Sequence, residues 1–228
     1  MNQPLTDLAL AIYDCGAFKD KSRSPEGRGF RLKLHEQYPD APLSPVYLNL
    51  RTPDNPKPGP LTPEILSTIG QLMLDRTDEE GLRYDLVAGV PNAGDPFADA
   101  FIAAGADDQR TIGLLRLGKQ TAEDGKRQVL GIQPVTFGPD NRVLVIDDLI
   151  TRADSKLEAI RTLEEAELEV AGVIVLVDRE QGGGEELQKQ GYQFFALLTL
   201  SLLLDILVDA KRIGAETRRE ILDYLATA

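Results

Sequence analysis

The hydrophobic positions of this chain change rhythm near residue 61. Before that point they come in short groups. Leu5, Leu8, Ala9 and Ile12 fall at helical spacing and predict a helix over 5–13. The charged, Gly-containing stretch DKSRSPEGRG reads as a loop. Phe30, Leu32 and Leu34 then alternate with Arg31, Lys33 and His35, which is the period of a short strand. After Pro39, Pro42 and Pro45, the run VYLNLR at 46–51 repeats that alternation. The segment TPDNPKPGPLTP holds five prolines and excludes regular structure until Thr62-Pro63-Glu64 opens a helix with Pro in its first turn.

From residue 61 strand and helix patterns alternate. Ile65, Ile69, Leu72 and Met73 make one helix face. Residues 86–90 are a short apolar strand ending in the turn PNAGD, 96–104 a small-residue helix, 111–115 a strand and 118–127 a polar loop. Residues 143–146 form a buried strand, 155–166 a helix with Leu157, Ile160 and Leu163 on one face, and 170–177 a continuous apolar strand. A short helix at 184–190, a last strand at 192–198, and helices at 201–211 and 216–226 complete the pattern. Uninterrupted apolar strands separated by helices predict an α/β fold with a mostly parallel central sheet covered on both faces. Such sheets bind ligands at the carboxyl ends of their strands. Three parts are expected: an amino-terminal helix and small subdomain over 1–60, a core over 61–200 and carboxyl-terminal helices over 201–228.

Composition narrows the function. With 228 residues, 42% of them hydrophobic, the chain is long enough for a real core. Lys and Arg number 25 against 37 Asp and Glu, a net charge of −12. That balance repels nucleic acid phosphates and anionic membranes, so neither is an expected partner. One Cys and one His exclude an internal disulfide and a Cys/His zinc site. The longest apolar stretch, 194–204, ends at Asp205 and is too short to span a bilayer. The start MNQPLTDLAL lacks the basic-then-apolar order of a secretory signal. The expectation is a cytoplasmic protein in which Cys15 is a small buried residue and His35 an exposed one.

The most informative stretch is VLVIDDLITRADSKLEAI at 143–160. A buried strand runs into adjacent carboxylates, Asp147 and Asp148, and then a polar turn leads into a helix. Ser155 and Glu158 fit a capping box. Free backbone N–H groups at a helix start bind phosphate, and the carboxylate pair beside them suits ribose hydroxyls or Mg²⁺. A phosphate bearing a ribose fits the combination. A solvated Asp pair with an ordinary helix cap fits it equally well.

Strand, acidic pair, Ile-Thr, turn and helix resemble the PRPP-binding signature of the type I phosphoribosyltransferases. AIYDCGAFK, FRLKL and SPVYLNLR resemble the amino-terminal hood of the orotate phosphoribosyltransferase family. AGVPNAGDPFA resembles its pyrophosphate loop, and VIVLVDREQGG its late strand and base-binding turn. The order and spacing match over nearly the whole chain. The resemblance implies the type I phosphoribosyltransferase fold with a small hood, and transfer of a phosphoribosyl group from PRPP to orotate in pyrimidine biosynthesis. It implies that Asp147 and Asp148 bind the ribose hydroxyls, and that Thr151 and Arg179 contact the carboxylate and ring of the pyrimidine. Lys33 reaches the substrate from the hood. Residues Gly89, Asn92, Ala93 and Gly94 cradle pyrophosphate, and Arg152, Ala153, Asp154 and Ser155 form the phosphate turn. Arg116, Lys119 and Lys126 supply the basic groups of a flexible loop that reaches across a homodimer. Mg²⁺ is implied as cofactor, carried by PRPP and held by no protein ligand directly.

Two stretches depart from the family pattern. The phosphate turn has Arg152-Ala153-Asp154-Ser155 where small residues and Gly are usual. Asp154 either points inward and occupies the phosphate's place, or faces solvent. In the loop, aligning the glycine puts Ala122 where a catalytic Lys is expected and Asp124 where His or Tyr is; a gapless alignment puts Thr121 at the Lys position. The alternative reading is therefore a catalytically weak or inactive member of the fold that binds a pyrimidine or nucleotide in a regulatory role.

Overall fold

The structure is a computed structural model and describes residues 3–32, 35, 38–121, 127–132, 138 and 141–226. In chain order it contains α1 (Gln3–Asp14), β1 (Phe18–Asp20), β2 (Val46–Leu48), α2 (Pro63–Glu79), β3 (Leu86–Gly89), α3 (Asp95–Asp107) and β4 (Gly113–Leu115). These are followed by β5 (Leu117–Thr121), β6 (Arg127–Ile132), β7 (Arg142–Ile150), α4 (Asp154–Glu165), β8 (Glu169–Asp178), α5 (Gly183–Lys189), β9 (Phe194–Thr199), α6 (Leu200–Asp209) and α7 (Ala215–Leu225). The chain divides into two units. One is Thr62–Thr199; the other joins Met1–Leu61 to Leu200–Ala228.

In the smaller unit, α1 buries Leu8, Ala9 and Ile12, the stripe its spacing predicts. α1 packs on α6, which packs on α7. The Tyr13 hydroxyl donates to the Arg212 carbonyl at 3.0 Å, and Lys21 pairs with Glu220 at 2.6 Å. β1 runs antiparallel to β2, with Lys19 opposite Tyr47. The predicted strand at 30–35 is reduced to one bridge between Phe30 and Ser44. The His35 ring explains this. Its Nδ1 accepts the Leu32 N–H at 2.9 Å and its Nε2 lies 3.2 Å from the Pro42 carbonyl, so the chain turns instead of extending. His35 is buried, not exposed, because both ring nitrogens find backbone partners. Cys15 is half-buried.

The larger unit is built on a five-stranded parallel sheet in the order β4-β3-β7-β8-β9. Its strands are apolar because both faces are covered. Val143, Val145, Val173 and Val175 pack against Leu157, Ile160 and Leu163 of α4 and Leu187 of α5. The alternate residues Leu144, Ile146, Ile174 and Leu176 are equally buried on the other face. There α2 and α3 pack together, contributing Ile69, Met73, Phe97 and Phe101. α2 starts where the Thr62 hydroxyl accepts the Ile65 N–H at 3.4 Å, with Pro63 in its first turn.

One expectation is overturned. The polar segment at 118–127 is not a loop throughout: β5 and β6 pair antiparallel, Leu117 opposite Ile132 and Thr121 opposite Arg127. Its polar sequence hid the strands because a two-stranded ribbon is held by backbone bonds and needs no apolar alternation. No helix among the described residues is long and apolar enough to cross a membrane.

Candidate active site

From β3 the chain crosses to β4 on one side, and from β7 to β8 and β9 on the other. The carboxyl ends of β3 and β7 therefore flank the point where strand order reverses, the place where open α/β sheets bind ligands. The turn after β3 is pressed against β7. The Val90 N–H donates to the Ile146 carbonyl at 2.9 Å. A Cβ on Gly94 would lie 2.4 Å from that carbonyl oxygen and 2.5 Å from the Val90 nitrogen. Only glycine permits this approach. Within the turn the Pro91–Asn92 peptide is cis; Asn92 is exposed and Ala93 half-buried. Gly94 stands at the start of α3, where no side chain caps the first turn.

At the end of β7, Asp147 and Asp148 are both buried, at 4% and 8% exposure. Lys156, from the first turn of α4, forms an ion pair with Asp147 Oδ2 at 2.5 Å and donates to the Leu149 carbonyl at 2.5 Å. Asp147 Oδ1 accepts the Asp148 N–H at 2.9 Å, and Asp148 Oδ1 accepts the Leu149 N–H at 2.8 Å. Burial, and then the Asp147 charge, push the Asp148 carboxyl well above the usual carboxylate range; Lys156 pulls the other way.

The turn 151–154 leads into α4 without the expected capping box. The helix starts at Asp154, one residue earlier than the pattern implied, so Ser155 lies inside it and the cap position falls on Ala153, which has no side-chain acceptor. The first-turn N–H groups of α4 thus have no side-chain cap, as phosphate recognition at a helix start requires. Asp154 and Arg152 are exposed, Ala153 is buried, and Thr151 and Ser155 are half-buried.

The turn after β8 folds onto the end of β7. The Arg179 N–H donates to the Ile150 carbonyl and the Gly183 N–H to the Thr151 carbonyl, both at 3.0 Å. Gly183 is required here, since a Cβ would meet Ile150 Cγ1 at 2.6 Å. Asp178 Oδ1 accepts the Glu180 N–H at 2.8 Å and holds the turn from the other side. The turn at 179–183 is thereby fastened to the backbone of Ile150 and Thr151, just past the acidic pair in sequence.

Arg116 follows β4 and is already engaged by α3: it pairs with Asp99 and lies 3.6 Å from Asp95. Burial foremost, opposed by Arg116, raises the Asp95 carboxyl to about 6. Lys119 lies on β5. Lys33, Lys126, Ala122 and Asp124 lie outside the described residues. Sequence reasoning missed Asp95, Asp99 and Lys156. For Lys156 a signal existed: it precedes Ile160 by four residues and Leu163 by seven, on the buried face of α4. A lysine on an apolar face needs a buried partner, and the nearest unsatisfied carboxylates were at the end of the preceding strand.

Taken together, this end of the sheet offers uncapped helix starts for anions, a carboxylate for hydroxyls and a guanidinium for a carboxylate. No family model matches the chain. It is 30% identical to a uridine 5'-monophosphate synthase of Bos taurus over 97% of its own length and 40% of that protein's. It is 33% identical to an orotate phosphoribosyltransferase of Pyrococcus furiosus over 63% of its length and 74% of that protein's. Among solved structures, a Leishmania donovani UMP synthase superimposes with a TM-score of 0.71 at 26% identity, covering 98% of this chain and 42% of that one. The chain thus spans about 40% of the UMP synthases it matches and about three quarters of the shorter relative.

Proposed function

The chain belongs to the orotate phosphoribosyltransferase family, and on that premise we propose that it transfers the phosphoribosyl group of PRPP to orotate, forming orotidine monophosphate and releasing pyrophosphate. The observation that carries the reading is the convergence of three segments at the strand-order reversal: the 90–94 turn, Asp147-Asp148 with the uncapped start of α4, and the 179–183 turn bonded to the backbone of Ile150 and Thr151. Pyrophosphate lies against the backbone of residues 89–94, and the 5-phosphate against the N–H groups that open α4. The acidic pair takes the ribose hydroxyls. Arg179 grips the orotate carboxylate through a two-pronged guanidinium fork, with Thr151 beside it. The orotate ring nitrogen displaces pyrophosphate at the anomeric carbon. The protein's part is to hold the two reactants in line and to stabilise the leaving anion by N–H groups and basic side chains.

Among the described residues no group of three or more His, Cys, Asp or Glu is placed to hold a metal. Mg²⁺ is proposed as carried on the oxygens of PRPP, where it would neutralise pyrophosphate charge. Lys33, Lys119 and Lys126 are proposed as the further cations at the reacting groups, within a cytoplasmic homodimer.

Calorimetric titration with PRPP and Mg²⁺, then with orotate, followed by a steady-state assay for orotidine monophosphate, tests the proposal. Sequential binding with product formation is expected. Orotate binding without any product would leave the regulatory reading in its place. Arg179→Ala lowers orotate affinity by about 100-fold while PRPP still binds; unaltered orotate affinity would refute the base assignment.

A further inference from the structure

We propose that the opposite end of the sheet holds a second ligand site, one for a nucleoside monophosphate, in the cavity where β3, β4 and β7 begin. The cavity measures about 540 Å³ and is lined by the end of α2, by the residues just before β3 and β4, and by Arg142, which opens β7. That volume suits a small ligand. Asp147 stands five residues beyond Arg142 on the same strand, about 17 Å away at the rise of a strand, so the cavity is separate from the candidate active site. Its walls are held in place. The Asp85 N–H donates to the Arg142 carbonyl and the Asp85 carbonyl accepts the Gly113 N–H, both at 2.9 Å. Asp85 Oδ2 accepts the Arg142 N–H, also at 2.9 Å. The Tyr84 hydroxyl lies 3.0 Å from that of Thr77, and its ring stands edge-on to Phe101 at 5.7 Å. With Leu82 and Ile112, Tyr84 gives the cavity an apolar side.

The polar groups decide the ligand. Three guanidiniums line the cavity, Arg83, Arg110 and Arg142, in a chain whose net charge is −12. Arg110 is spent: Asp78 takes both of its terminal nitrogens, at 2.7 and 2.5 Å, and Asp108 lies 3.7 Å away. Arg142 gives only its Nε to Glu169, at 2.9 Å. Among the described residues, the two terminal nitrogens of Arg142 and the whole of the exposed Arg83 have no hydrogen-bond partner. Of the carboxylates nearby, Asp78, Asp108 and Glu169 thus each lie against an arginine already. Two guanidiniums with donors to spare match the oxygens of a phosphate monoester. Asp85 keeps Oδ1 as an acceptor, which suits a ribose hydroxyl. The side formed by Leu82, Tyr84 and Ile112 suits a flat base. Anion, hydroxyl and ring together describe a nucleoside monophosphate.

The test is calorimetric titration of the unaltered chain and of Arg83→Glu with uridine monophosphate. Arg83 is exposed and holds no other group among the described residues, so the variant folds as the unaltered chain does. The candidate active site also takes a nucleotide under the proposed function, and comparing the two chains removes that contribution. The charge reversal weakens binding at one site by at least about 10-fold and leaves any other site as it was. Ribose 5-phosphate, which has no base to cover the apolar side, binds the Arg83-dependent site about 10-fold more weakly than the nucleotide. A titration that Arg83→Glu leaves unchanged in both stoichiometry and affinity would overturn the site. Ribose 5-phosphate bound there as tightly as uridine monophosphate would overturn the assignment of a nucleotide.

Discussion

Two carboxylates, Asp95 and Asp154, stand beside helix starts where anions are to bind, and the protein handles them differently. Asp95 is tucked behind Arg116, and burial raises its carboxyl to about 6 from an ordinary 3.8. A raised carboxyl favours the folded state while it is protonated. That contribution is full below about pH 4 and is lost as pH rises through 6. Asp95→Asn should therefore stabilise the protein above pH 6 and leave it unchanged at pH 4. The side chain is 28% exposed, which holds the gain to about 1 kcal/mol. Urea unfolding at the two pH values measures it, and an equal gain at both would contradict the assignment. Asp154 faces solvent at the first position of α4, where its charge complements the helix dipole. Asp154→Asn should cost about 0.5 kcal/mol of stability and tighten PRPP binding by roughly 3-fold, since one repelling charge leaves the phosphate site. Loosened binding in calorimetry would refute this.

At the scale of elements, the site depends on backbone contact between the turn after β3 and the end of β7. Gly94→Ala would place a methyl group against the Ile146 carbonyl and the Val90 nitrogen, both backbone atoms that cannot rotate aside. The expected loss is about 2–3 kcal/mol in urea unfolding, together with weaker pyrophosphate binding. A fully stable variant would mean that the turn relaxes easily. The same scale shows how sequence patterns mislead. Ser155 and Glu158 have the spacing of a capping box, but the packing of Leu157 and Ile160 against the sheet starts the helix at Asp154 and moves the cap to Ala153. A capping motif records a local preference of about 1 kcal/mol, and burial of a helix face exceeds it. The 30–35 alternation likewise yields to a turn, once the His35 ring takes up backbone groups that a strand would have used.

For the whole molecule, binding must appear as stability. PRPP with Mg²⁺ at a hundred times its dissociation constant adds about 2.7 kcal/mol, which for a chain of this size raises the melting temperature by roughly 5–10 °C. Thermal unfolding with and without ligand measures the shift; its absence would count against a PRPP site. The sequence by itself determined the α/β class, the parallel order of strands and helices beyond residue 61, and the identity of the acidic pair, because buried strands and amphipathic helices write their burial into residue spacing. Tertiary structure alone decided that Lys156 is held by Asp147 and Arg116 by Asp99, and that Asp154 is exposed. Such partnerships join residues from different elements, and no spacing along one chain records where two side chains meet in space.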